Sequence, residues 1–91
     1  VKKNLSLEDF LLDLQDKGFK FEEDAIGFIY FGKRSTEASD QMVKAAIEIT
    51  LKTQKSFDAS FYVSLLETLI EHKIQTRYHA LDYVRKIGLL A

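Results

Sequence analysis

Residues 25–32 read AIGFIYFG, five large apolar or aromatic side chains, four of them between Gly27 and Gly32, with Ala25 and Ile26 ahead. How this run folds decides the fold class. As a helix, it places Ala25, Phe28, Ile29 and Gly32 on one face, with Ile26 and Tyr30 flanking. As a strand, it alternates Phe28, Tyr30 and Gly32 against Ile29 and Phe31. Periodicity does not separate the two for so short an apolar run, and intrinsic β-propensity favours the strand. Two other features favour the helix. Glu22, Glu23 and Asp24 lead in, and acids belong in a first helical turn, where backbone N–H groups lack partners. No second strand-like segment is present, so a lone strand would leave its backbone unpaired. The reading adopted is a helix over 22–31, apolar nearly all round and stopped at Gly32.

The flanking segments are helical by pattern. Ser6 is an N-cap with Asp9 three residues on, a shorter capping-box acid. Leu7, Phe10, Leu11 and Leu14 then recur at helical spacing up to Lys17 and Gly18, which predicts a helix over 7–17. Lys33, Arg34, Ser35 and Thr36 read as a polar break, with Ser35 or Ser39 available to cap the next element. Val43, Ala46, Ile47, Thr50 and Leu51 share a face of a helix over 37–54. Asp58 caps a helix over 58–73 whose two stripes, Phe61, Leu65, Leu69 and Tyr62, Leu66, Ile70, suit an element with neighbours on two sides. Ile74 pins the following turn. Thr76 caps a last helix over 77–87, with Tyr78, Leu81, Val84 and Ile87 apolar. The expectation is an all-α single domain spanning 1–91, a bundle of five short helices.

The totals agree. Ninety-one residues make one domain. Proline is absent and glycine occurs four times, where an average chain carries about 5% proline; helices with short connections follow. Seven Phe and four Tyr supply large buried areas to a chain otherwise short of core. There is no cysteine, so no disulfide framework and no thiolate metal site, a composition that suits a reducing cytoplasm. No apolar run reaches the roughly 18 residues of a membrane span, and VKKNLSL lacks the apolar stretch of a signal peptide. A first residue of Val rather than Met leaves processing of the ends open.

Candidate chemistry is sparse. His72 and His79, the two histidines, are not spaced to share a helix face with carboxylate ligands such as Glu67, Glu71 or Asp82, so no metal or cofactor is expected. Serines and threonines serve as caps, and no glycine-rich phosphate loop occurs. An enzyme is not expected. Residues 1–43 hold six basic and nine acidic groups, a net of −3, while 44–91 hold seven and five, a net of +2. Lys73, Arg77, Arg85 and Lys86 are the candidate nucleic-acid contacts, set against their simpler role as cations near helix ends.

Two family patterns are relevant. GFIYFGK, residues 27–33, resembles the RNP1 segment of RRM domains, whose strand aromatics stack bases; that fold requires three further strands, and core aromatics are the preferred reading. Residues 40–86 resemble the DnaD-like domain of bacterial replication-initiation proteins. The matched stripe is Phe61, Leu65 and Leu69, where the family has Tyr, Ile and Trp. The matched turn is Lys73-Ile74-Gln75-Thr76, preceded by AAIEITLKTQKSFDASF. The resemblance implies an all-helical domain that self-associates and contributes to binding single- or double-stranded DNA.

The leading expectation is a non-catalytic cytoplasmic domain that binds a protein partner or a second copy of itself, with no role at a membrane. Tyr30, Phe31, Leu89 and Leu90 are the residues expected at that surface; Leu89 and Leu90 either pack back or mark a contact. The alternative is a DnaD-like nucleic-acid-binding module.

Overall fold

In a computed structural model, which describes residues 5–90, the first helix forms where its cap stands. The Ser6 hydroxyl accepts the Asp9 N–H at 3.2 Å, and α1 (Leu7–Asp16) follows, burying Leu7 and Leu11. The chain leaves it through Gly18 at φ +102°, a conformation glycine adopts without a Cβ penalty.

AIGFIYFG is helical. It lies within α2 (Glu23–Thr36), and the described residues contain no strand. The helix outruns its expected end by a turn. Gly32 is buried within it rather than beyond it, and the polar residues 33–36 are its last turn. The Thr36 hydroxyl donates to the Gly32 carbonyl at 2.7 Å. Termination falls to Glu37 at φ 59°, with the Ala38 N–H reaching back to the Lys33 carbonyl at 3.2 Å, a left-handed C-terminal motif. The same turn moves the start of the next helix from 37 to 40. Ser39 is the cap, its hydroxyl accepting the Met42 N–H at 3.3 Å.

The centre of the molecule is α3 (Asp40–Gln54), which buries Met42, Val43, Ala45, Ala46, Ile47, Ile49, Thr50 and Leu51. Residues buried on so many sides require neighbours on several, and α1, α2, α4 (Ala59–Glu71) and α5 (Arg77–Lys86) all pack on it. Thr50, the buried polar residue, satisfies its hydroxyl on the Ala46 carbonyl at 2.7 Å. Asp58 and Thr76 cap α4 and α5 by accepting the Phe61 and His79 N–H groups. Ile74, 2% exposed, anchors the turn between these helices.

A tyrosine closes the seam between α2 and α4. The two helices pack with Ile29 and Gly32 facing Tyr62, which is fully buried. The Tyr62 hydroxyl donates to the Ile29 carbonyl at 2.7 Å. A Cβ on Gly32 would lie 2.9 Å from a Tyr62 ring carbon, so only glycine leaves room for the ring this close to the helix. Phe57 contacts Tyr62 at 5.5 Å between ring centroids, and Phe21 contacts Phe57 at 5.7 Å. This chain of rings ties the α1–α2 and α3–α4 connections to the seam.

Candidate interaction surface

The residues not used by this packing define the surface. On α2 the side opposite Ile29 and Gly32 carries Asp24, Gly27, Phe28, Phe31, Arg34 and Ser35, all exposed. Phe28 is 46% and Phe31 55% exposed. Helical spacing of three puts the two rings one turn apart on the same side. They form one wall of a shallow groove of about 380 Å³, and Ala59, Ser60, Val63, Ser64 and Glu67 of α4 form the other. Helical spacing alone groups Phe28 with Ile29 and Gly32, and the structure corrects this. Tyr62 takes up that face, and Phe28, one position before Ile29, is turned out by about 100°.

The four expected surface residues are divided. Phe31 and Leu89 are exposed, while Tyr30 and Leu90 are half-buried and pack against the core. Burial pushes the Tyr30 phenol up, helped by the charges of Glu8 and Asp40. The Leu89 N–H bonds the Val84 carbonyl at 2.9 Å, so the tail folds back on α5.

The four candidate cations are not gathered into one patch. Lys73 sits in the left-handed turn after α4, at φ 59°. Arg77 opens α5, and Arg85 and Lys86 close it, eight residues or about 12 Å away along the axis. Arg77 grips Glu48 with two hydrogen bonds of 2.7 and 2.6 Å, and Lys86 pairs with Asp82 at 3.1 Å. Burial pushes the Glu48 carboxyl up, but the hydrogen bonds and charges of Arg77 and Lys52 outweigh it and hold the group below its ordinary range. The same pair raises Arg77 further. This is a clasp between α3 and α5.

The histidines and the stripe on α4 have structural tasks. His72 ends α4, its Nδ1 2.9 Å from the Thr68 carbonyl, with its ring centroid 5.1 Å from that of Tyr83. Leu65 and Leu69 are buried and Phe61 half-buried. On α5, Leu81 and Val84 are buried as the spacing predicts, but Tyr78 is 79% and Ile87 51% exposed. The buried residues of this ten-residue helix, Ala80, Leu81 and Val84, all lie in its middle.

A second groove, of about 330 Å³, lies between α1 and α3 over Phe10, Leu14, Phe19 and Leu51. Two ion pairs rim it, Asp13–Lys17 at 3.0 Å and Glu48–Lys52 at 3.1 Å. No described helix is long and apolar enough to cross a membrane.

The chain belongs to a family of unknown function, DUF6123, whose model matches residues 2–90. No curated protein and no solved structure matches it.

Proposed function

We propose that this is a non-catalytic cytoplasmic domain that works by binding protein through the outer face of α2 and the adjoining side of α4. The observation behind it is the pair Phe28 and Phe31, half-exposed side by side on a helix whose opposite side buries Ile29 and Gly32. Burying the exposed part of two phenylalanines supplies about 2–5 kcal/mol to a docked complex. Aromatic side chains over a groove are the usual anchors of such contacts.

The nucleic-acid reading, including the DnaD-like resemblance, has less behind it. Two of its four cations are already paired with carboxylates, and the four lie at different ends of α4 and α5.

A photo-crosslinking phenylalanine analogue at position 31, irradiated in the native cell, tests the proposal. The expected result is a discrete protein adduct that is lost when Phe28 is changed to Ser. The same analogue at position 78, which is more exposed than position 31, should give none. An adduct from 78 and none from 31 would overturn the assignment of the face. So would steeply salt-dependent oligonucleotide binding removed by reversing Arg77 and Arg85 while the adduct is absent.

A further inference from the structure

We infer that the occupant of this face is a second copy of the same chain, its α2 lying antiparallel to the first across a two-fold axis. The inference rests on the docking face proposed above and adds the partner and the geometry.

Gly27 is the first observation. A glycine inside a helix costs about 1 kcal/mol relative to alanine, so its presence calls for a close approach or an unusual backbone angle. Gly32 has that reason in Tyr62. Gly27 has none in the monomer: it is exposed, helical, and an added Cβ would meet nothing within 4 Å. The approach that would use it has to come from outside.

Spacing is the second. Asp24, Gly27, Phe28, Phe31, Arg34 and Ser35 fall within roughly 120° of arc at 100° per residue. When two such helices run antiparallel about a two-fold axis level with residue 29, positions equidistant from 29 face each other. Asp24 then faces the second copy's Arg34, five residues either side of the centre. Gly27 faces the second copy's Phe31, two either side. The stripe is therefore self-complementary: ring over notch twice, carboxylate against guanidinium twice, as an isologous contact demands.

Charge is the third. Lys17, Lys33, Lys52, Arg77 and Lys86 all hold carboxylate partners. Asp24 and Arg34, like Lys73 and Arg85, hold none among the described residues, and they are the two charged members of the outer stripe, of opposite sign. Ten residues apart on one helix, or about 15 Å, they cannot meet within one copy. The antiparallel arrangement also sets each acidic helix start beside a basic helix end, the favourable alignment of the two dipoles. The size is adequate. α2 is about 21 Å long on a molecule 28 Å across, and a standard interface of about 800 Å² per partner is roughly one-seventh of its 5928 Å² surface.

Sedimentation equilibrium of the purified full chain, from micromolar to millimolar concentration, with circular dichroism as the check on folding, provides the test. The wild type should dimerise reversibly. Asp24→Arg alone and Arg34→Asp alone should each weaken the dimer about tenfold or more, because each places like charges together twice. An equimolar mixture of the two variants, and the doubly swapped chain, should recover it. A wild type that stays monomeric throughout, single variants that dimerise unchanged, or a mixture no better than its components would each overturn the inference. A monomeric wild type that still crosslinks another protein from position 31 removes the second copy and leaves the docking face standing. A dimer that survives Phe28→Ser with Phe31→Ser removes the face itself.

Discussion

The two faces of α2 each place one glycine beside an aromatic ring, and they behave in opposite ways. On the inner face Gly32 is filled by a ring from another helix, and the Tyr62 hydroxyl is bonded to the Ile29 carbonyl of the same turn. On the outer face Gly27 is empty, and Phe28 and Phe31 stand in solvent beside it. Within one copy, then, the same residue types serve stability on one side and leave a surface open on the other. What separates them is whether a neighbour's side chain reaches the helix. Composition alone would rank the faces equal.

The comparison breaks most visibly at Gly32. Gly32→Ala should destabilise the domain by about 1–3 kcal/mol, the cost of overpacking a closed core. The Tyr62 ring is fully buried and has no room to swing aside. Thermal melting reads this as a fall of about 4–8 °C per kcal/mol for a domain of this size. A melting temperature unchanged by Gly32→Ala would mean the seam is looser than the 2.9 Å approach indicates.

Gly27→Ala sharpens the contrast because its sign is opposite. The monomer should gain up to about 1 kcal/mol, since alanine is the better helix former and the added methyl meets no atom. If a ring of a second copy rests there, self-association should weaken in the same variant. Melting at low concentration and sedimentation at high concentration measure the two effects separately.

The smallest effect is expected in acid. Glu48 has a depressed pKa, so the stability it contributes is present above the ordinary carboxylate value of 4.5 and is lost as pH falls through its lower folded value. The clasp is partly exposed and contributes at most about 1 kcal/mol. Tyr62 is pushed up by burial and stays neutral throughout, so the α2–α4 seam does not titrate in acid. Amide exchange should therefore show α5 loosening before α2, and Glu48→Gln should remove the acid step in α5. Simultaneous loosening of both helices would show that the seam and the clasp are one cooperative unit.

The all-helical class is legible in the sequence because its signals are local. Ser6, Asp58 and Thr76 each lie within three residues of the N–H they accept, so spacing along the chain is enough to find them. The strand reading of AIGFIYFG fails for want of a pairing partner, a requirement that sequence inspection can also apply. The end of α2 is not legible. Lys33 to Thr36 look like a break because they are polar, and Gly32 looks like a stop because glycine often is one. Both sit in helix because the buried approach of Tyr62, far along the chain, offsets the glycine's cost.

The outer face is half legible. Phe31 reads as a surface residue, but Phe28 reads as part of the core face, because the apolar run Phe28 to Phe31 has no charged residue to mark which side is out. The candidate cations are legible as charges but not as partners. Arg77 and Glu48 are 29 residues apart, and only folding brings their side chains together. Sequence by itself determined that this chain is a five-helix domain, and where four of its helices begin, because caps and periodicity act over one turn. Only the tertiary structure decided which of two glycines is filled and that Phe28 stands outside with Phe31. Those outcomes depend on where α4 lies against α2, and burial is a property of the neighbour as much as of the residue.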